Sequence, residues 1–120
     1  MEIPKKKTKT AIRAAAKTAA LICDEMKAAE IEILGVRSLF RIADYFVLAT
    51  VQSERQSRAV FDRIKAEFRE RGMRFLGVEG GGGWLLGDFD SVIVHVFTPE
   101  ARGYYSIENL WGDAEKIKWK

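Results

Sequence analysis

Two aspartates, Asp88 and Asp90, stand two positions apart, and this spacing places both carboxylates on one side of an extended chain. Paired carboxylates of this kind can hold Mg²⁺ for nucleotidyl transfer. The same two residues are also typical of a polar turn between strands. The sequence has no Gly-Ser pair at a preceding helix start and no third acidic residue at a suitable position. The pattern therefore favours the turn, and a Mg²⁺-dependent nucleotidyltransferase remains an alternative.

Three further features could indicate chemistry. The four glycines at 80–83 could cradle a phosphate, but they lead into the strand-like run WLLGD and no Lys-Ser or Lys-Thr pair follows. The only histidine, His95, has no nucleophile-elbow or triad sequence around it, and the only cysteine is Cys23. We expect a hairpin loop at the glycines, a structural or contact role for His95 and a core position for Cys23. The sequence thus predicts neither a cofactor nor a metal site.

The elements that position these residues follow from hydrophobic periodicity. A helix is predicted over residues 10–29, and a second helix begins at a capping box of Ser53 and Gln56 and ends at Gly72. Strands are predicted over residues 31–37, 45–51, 74–79, 84–88 and 91–98, with a helical segment from residue 99. A strand, helix, strand order predicts at least one parallel pair. The expected fold class is α/β (α+β), with a mixed, roughly five-stranded sheet packed by two main helices and a short C-terminal helix.

A chain of 120 residues fits one domain. We expect a basic, disordered tail at residues 1–10, the domain at residues 11–114 and a charged C-terminal tail at residues 115–120. Neither a membrane span nor a secretory signal is found in the sequence, and a single cysteine suits a reducing compartment. A cytoplasmic protein is expected.

Positive charge is concentrated at the N-terminus. The net charge is +3, but residues 1–17 contain six bases and one acid, a net of +5, which leaves −2 for the rest of the chain. A phosphate-binding face would need bases spread over the body of the domain. The tail could therefore contact RNA, whereas the body of the domain should not depend on RNA binding.

The C-terminal third has the opposite character. Residues 76–114 contain six acids against one arginine, Arg102. Its six large aromatic residues are Trp84, Phe89, Phe97, Tyr104, Tyr105 and Trp111. Aromatic residues dominate the energetics of protein contact surfaces, and acidic neighbours favour a basic partner. This region therefore predicts a surface for a basic protein.

The chain resembles the ribosomal silencing factor, or Iojap-like, family over residues 11–114. The motifs are ADYFVLATVQSERQ at 43–56, VEG at 78–80, the Trp84 hairpin with Asp88, VIVHVF at 92–97 and EARGYYSIENLWGDA at 100–114. Each motif alone is weak, but their order and spacing together are specific.

The resemblance implies a function without catalysis. Such proteins bind the universal protein number fourteen of the large ribosomal subunit, block joining of the small subunit and repress translation during nutrient limitation. Organelle relatives act in assembly of the large subunit. The implied contact residues are Glu79, Trp84, Leu86, Asp88, Phe89, Arg102 and Tyr105. Within this set, Trp84, Leu86 and Phe89 are expected to form an apolar anchor that could also pair with a second copy when no ribosome is present.

Three hypotheses therefore compete. If the protein is an enzyme, Asp88→Asn and Asp90→Asn should abolish its turnover. If it is an RNA-binding protein, deletion of Lys5 to Lys9 should abolish its binding to bare RNA. A silencing factor should sediment with large subunits, lose this binding on Trp84→Ala and keep it without the tail.

Overall fold

The computed structural model describes residues 8–37 and 43–120. Its elements are α1 (Lys9–Glu25), β1 (Ala29–Gly35), β2 (Tyr45–Thr50), α2 (Glu54–Glu70), β3 (Gly77–Gly81), β4 (Trp84–Asp88), β5 (Val92–Phe97), α3 (Pro99–Tyr104), α4 (Ile107–Leu110) and β6 (Glu115–Ile117). The predicted N-terminal tail enters the described part only at residues 8–10, where Thr8 caps α1. The rest of that tail, and most of the connection between β1 and β2, lie outside the described residues.

The strands form a mixed sheet in the order β3-β4-β5-β2-β1-β6. β2 and β5 are parallel, with Tyr45 aligned with Val92 and Thr50 with Phe97. The other pairs in the described part are antiparallel. The predicted parallel pair and the α+β class are therefore confirmed. None of the helices in this part of the chain is long and apolar enough to cross a membrane.

The prediction that residues 115–120 form a tail is wrong, because they begin with the sixth strand. β6 pairs antiparallel with β1, and Ile117 is buried in the core. The indole Nε1 of Trp119 donates to the carbonyl oxygen of Ile31 at 3.3 Å. Apolar residues at 117 and 119 alternate with lysines, a pattern typical of an edge strand whose charged side chains face solvent.

One face of the sheet, here the helix-covered face, packs against α1 and α2. The hydroxyl Oγ of Ser53 accepts from the N–H of Gln56 at 3.1 Å, which confirms the predicted cap of α2. The apolar stripe that α2 buries consists of Val60, Phe61, Ile64 and Phe68. Cys23 of α1 is also buried there, and burial raises the pKa of its thiol to about 12, so it is a core residue rather than a nucleophile.

Gly87 allows α2 to pack closely on β4. A Cβ atom at this position would lie 2.7 Å from Cε1 and 3.0 Å from Cδ1 of Phe61. Because the Phe61 ring is itself buried, it cannot move aside freely. We expect Gly87→Ala to lower the free energy of unfolding by about 1–3 kcal/mol, measured by urea titration.

Gly103 of α3 provides the matched control, since a Cβ atom there would meet no atom of the described residues within 4 Å. Gly103→Ala should raise stability slightly, by about 0.5–1 kcal/mol, because alanine favours the helix. Equal losses in both variants would show that the close contact with Phe61 is not what position 87 requires.

The opposite face of the sheet, here the aromatic face, is formed by Trp84 and Leu86 of β4, His95 and Phe97 of β5, and Phe46 of β2. Ile107 and Trp111, from α4 and the residue after it, cover part of this face. Ile93 lies on the same face as His95 and Phe97, because alternate residues of a strand point to one side of the sheet. Toward β3 the aromatic face has no covering helix in the described part of the chain.

Candidate functional site

The hairpin of β3 and β4 forms one edge of the aromatic face. Gly81 pairs with Trp84, and the two turn residues Gly82 and Gly83 have φ values of 64° and 88°. Positive φ at both positions is the geometry of a type I′ turn, which glycine adopts without strain. The predicted hairpin is confirmed, and its tight turn sets Trp84 at the start of β4.

Trp84 is half-buried and held in one orientation. Its indole Nε1 donates to Nδ1 of His95 at 3.1 Å. The rings of Phe97 and Tyr105 each lie with their centroids 5.2 Å from the Trp84 ring. An aromatic side chain fixed in this way loses little rotamer freedom when it binds a partner. The geometry therefore suits a preorganised contact residue.

His95 lies under this surface and is only 4% exposed. The rings of Phe46 and Trp111 lie at centroid distances of 4.6 and 5.1 Å. Burial among rings lowers the pKa of the imidazole to about 4, so His95 is neutral at pH 7. Because Nδ1 accepts the Trp84 hydrogen bond, the proton is on Nε2, which has no partner among the described residues. His95 thus supports Trp84 from beneath, in keeping with the predicted structural role.

The buried imidazole predicts a specific loss of stability in acid. The pKa is about 4 in the folded protein against an ordinary 6.5, so between these values the unfolded chain binds a proton that the folded chain does not. The free energy of unfolding should therefore fall by about 1.4 kcal/mol per pH unit as the pH drops through this window, and His95 should add no pH dependence above it.

The control for this prediction is His95→Gln, which does not titrate and can still accept a hydrogen bond from Trp84. The gap in unfolding free energy between the wild type and this variant should change by about 3 kcal/mol between pH 7 and pH 4. Parallel stability curves from urea titrations would contradict a buried, neutral imidazole.

Large side chains continue the surface beside Trp84. Tyr105 is 41% exposed and packs against Tyr104, which is almost fully exposed. Leu110, at the end of α4, is also exposed. Trp111 folds back onto Phe46 at a centroid distance of 5.0 Å. Tyr104 and Leu110 were not among the predicted contact residues, although consecutive large apolar residues in a short polar helix were a usable signal.

Carboxylates border the same surface. Glu79 is exposed and pairs in register with Leu86, so its side chain lies on the same side of the hairpin. Asp88 follows on that side, but its Oδ1 accepts from the N–H of Asp90 at 2.8 Å. Asp90 has a φ of 72°, a turn conformation that aspartate tolerates. The structure therefore supports the polar turn. No group of three acidic, cysteine or histidine side chains suited to a metal occurs in the described part of the chain.

The prediction that Phe89 belongs to the exposed anchor is wrong in this structure. Phe89 is 1% exposed, and its ring packs against Phe68 at 4.8 Å and Phe75 at 5.2 Å between centroids. Strand alternation explains this position. The even-numbered residues of β4 lie on the aromatic face, namely Trp84, Leu86 and Asp88. Phe89 follows Asp88 directly, so its side chain points to the opposite, helix-covered face.

Arg102 does not flank the surface as predicted either, because it is 4% exposed. Its Nη1 donates to the carbonyl oxygen of Glu30 at 2.8 Å and to Oγ1 of Thr50 at 2.9 Å. Its Nη2 lies 3.3 Å from Oε2 of Glu32. These bonds tie α3 to the edges of β1 and β2, so the role of Arg102 in this structure is to hold α3 in place.

The fold and this surface define a small α+β domain that presents a preorganised aromatic patch with an acidic border, the kind of surface that contacts another macromolecule. Residues 8–120 match the family model described as "Ribosomal silencing factor during starvation". The chain therefore belongs to the ribosomal silencing factor family, and the resemblance seen in its motifs is confirmed.

Individual relatives support this assignment. The chain is 38% identical to a ribosomal silencing factor of Bacillus subtilis over 82% of this chain and 85% of that protein. It is 30% identical to "Mitochondrial assembly of ribosomal large subunit protein 1" of Mus musculus, over 70% of this chain and 39% of that protein. A crystal structure of a Chromobacterium violaceum protein has a TM-score of 0.77 at 33% identity, covering 89% of this chain and 90% of that one.

Proposed function

We propose that this protein binds the large ribosomal subunit through its universal protein number fourteen and sterically blocks joining of the small subunit. Repression of translation during nutrient limitation follows from this block. The observation that carries the proposal is Trp84, half-buried and fixed by His95, on the part of the aromatic face toward β3 that no described helix covers. Family membership supports a role as a ribosomal silencing factor.

Charge and shape support a basic protein as the partner. Residues 76–114 hold six acids and one arginine, and that arginine is buried, so the side chains bordering the aromatic face are mainly acidic or neutral. Ribosomal proteins are typically basic, so the potentials of the two surfaces would be complementary. A standard interface of about 1,600 Å² would then be formed by the hairpin and the α3–α4 segment together.

The proposed mechanism requires no catalytic residue. A folded domain seated on the subunit-joining surface excludes the small subunit by volume alone, so inhibition depends only on affinity and overlap. We place this activity in the cytoplasm, where ribosomal subunits join.

The proposal is tested by sucrose-gradient sedimentation with purified subunits at physiological salt. We expect the protein to migrate with large subunits, to be absent from small-subunit fractions and to reduce the yield of joined ribosomes. Isothermal titration with isolated protein number fourteen then tests the partner. Binding to large subunits without binding to that protein would contradict the proposed contact, and a protein that stays at the top of the gradient would contradict the whole proposal.

The mouse relative, named for assembly of the mitochondrial large subunit, favours a second candidate function in subunit assembly. The two functions differ in what accumulates when the protein is removed from cells. Loss of an assembly factor produces incomplete large subunits, whereas loss of a silencing factor leaves them complete and raises the joined fraction during starvation.

We also propose that the basic N-terminal residues contact ribosomal RNA beside the main interface. Deleting residues 1–7, which contain three of the lysines, should weaken binding and flatten its salt dependence without abolishing it. In the absence of ribosomes, the aromatic face is available to pair with a second copy. Sedimentation equilibrium should then show a dimer that Trp84→Ala weakens.

A further inference from the structure

A small cavity lies at the carboxyl ends of the two parallel strands, β2 and β5. Its volume is about 50 Å³, several times the space that one water molecule needs. The start of α2 forms one wall, the glycine turn at 81–83 forms another, and Leu85 and Val96 form an apolar floor. The proposed ribosome-binding side chains are not part of its lining.

The connectivity makes this end of the sheet distinctive. From β2 the chain continues into α2, packs on the helix-covered face and reaches β3 at one edge of the sheet. From β5 it continues into α3 and α4, packs on the aromatic face and reaches β6 at the other edge. Neighbouring parallel strands whose connections leave in opposite directions open a crevice between their ends, and ligands of α/β sheets bind in such crevices.

Ser57 lines this cavity with a hydroxyl that has no hydrogen-bond partner among the described residues. The residue is 4% exposed, and its Oγ makes no hydrogen bond within the described part of the protein. A buried hydroxyl without a partner is unfavourable by about 1–3 kcal/mol. A ligand that accepts a hydrogen bond inside the cavity would remove this penalty.

The N-terminus of α2 adds further donors at the same place. The N–H of Gln56 donates to Oγ of Ser53, and the N–H of Ser57 donates to the Ser53 carbonyl oxygen. The preceding amides, those of Glu54 and Arg55, have no acceptor within the helix because they belong to its first turn. α2 is 17 residues long, so its positive end favours an anion.

We propose that this cavity binds a phosphoryl group, either free phosphate or the phosphate of a nucleotide. The Ser57 hydroxyl and the first amides of α2 donate to the phosphate oxygens, while the glycine turn leaves room for them. The exposed carboxylate of Glu54 stands at the rim and opposes the ligand, so affinity in the wild type is modest. This site goes beyond the proposed ribosome binding and does not depend on it.

The test is a titration of the full ¹⁵N-labelled chain, followed by amide chemical shifts, with sodium phosphate, with ATP and with sodium chloride at matched ionic strength. Saturable shifts of Glu54, Arg55 and Ser57 with phosphate or ATP, and not with chloride, support the site. Tighter binding of ATP identifies a nucleotide phosphate as the ligand, and equal or weaker binding identifies free phosphate. Absence of saturable shifts with both, or equal shifts with chloride, overturns the proposal.

Two substitutions in the proposed site and one control outside it sharpen the result. Ser57→Ala should weaken binding about tenfold, the loss expected for one hydrogen bond to a charged group. It should not lower the melting temperature, because the lost hydroxyl makes no hydrogen bond to any described residue. Glu54→Gln should strengthen binding about threefold. Ser91→Ala makes the same change as Ser57→Ala at the opposite end of β5 and should bind as the wild type does. A Ser57→Ala protein with unchanged affinity would overturn the proposed site.

Discussion

Trp84→Ala is expected to weaken binding to the large ribosomal subunit by roughly thirtyfold or more, a loss of about 2 kcal/mol. The indole is the aromatic side chain that is both fixed from beneath and partly accessible, because His95 accepts its N–H and the rings of Phe97 and Tyr105 pack beside it. Truncation removes this contact area and leaves a gap at the centre of the proposed interface. Sedimentation of a dilution series with large subunits measures the loss.

Trp119→Ala is the matched control for this prediction. Trp119 is also half-buried and also donates its Nε1 hydrogen bond, at 3.3 Å to Ile31, but it packs on the cluster of the helix-covered face. Both variants should lose stability, which urea titration measures, and only Trp84→Ala should lose affinity per folded molecule. Equal affinity losses would mean that stability, rather than the aromatic face, governs binding.

Arg102→Ala is expected to lower the free energy of unfolding by about 3 kcal/mol, which corresponds to a fall of roughly 10 °C in the melting temperature. The guanidinium is buried and bonded to the carbonyl oxygen of Glu30, to Thr50 and to Glu32. Its removal leaves the buried Thr50 hydroxyl without this donor and deprives the partly buried sites at Glu30 and Glu32 of their bonds to the guanidinium. The loss should lie at the lower end of values for buried ion pairs, because Glu32 keeps a second cation in Lys116, 3.0 Å away.

Arg37→Ala is the control for an arginine on the surface. Arg37 lies 3.5 Å from Asp44, and 62% of its side chain is exposed, so its removal should change stability by less than about 1 kcal/mol. The folded fraction of Arg102→Ala should bind large subunits nearly as the wild type does if its role is only to hold α3. A stable Arg102→Ala protein that fails to bind would restore Arg102 to the contact surface.

Local patterns in the sequence were sufficient for most elements. The cap at Ser53, the apolar stripe of α2 and the left-handed stop at Gly72 each depend on residues within a few positions of one another. The strand predicted at residues 45–51 is the interior strand β2, whose continuous apolar run fits a strand covered on both faces. β6 was missed because three residues among lysines carry too little local preference, and pairing with β1 stabilises them.

The candidate site was predicted only in part, for a related reason. The sequence of residues 76–114 shows which residues are aromatic or acidic, but it does not show which of these side chains are exposed to solvent. The alternation of side chains along β4, extended by one residue beyond the end of the strand, would have placed Phe89 on the helix-covered face. Arg102 could not have been assigned in this way, because its acceptors are distant in the sequence.

By itself, the sequence determined the helices, the main strands, the basic N-terminus and the family, because each is encoded in neighbouring residues or in motifs of fixed order. Only the tertiary structure decided that Phe89 and Arg102 are buried, that His95 supports Trp84, and that the buried hydroxyl of Ser57 lines a cavity beside the glycine turn. These properties arise from contacts between residues such as Arg102 and Glu32, 70 positions apart, and long-range packing leaves no local pattern from which to predict them.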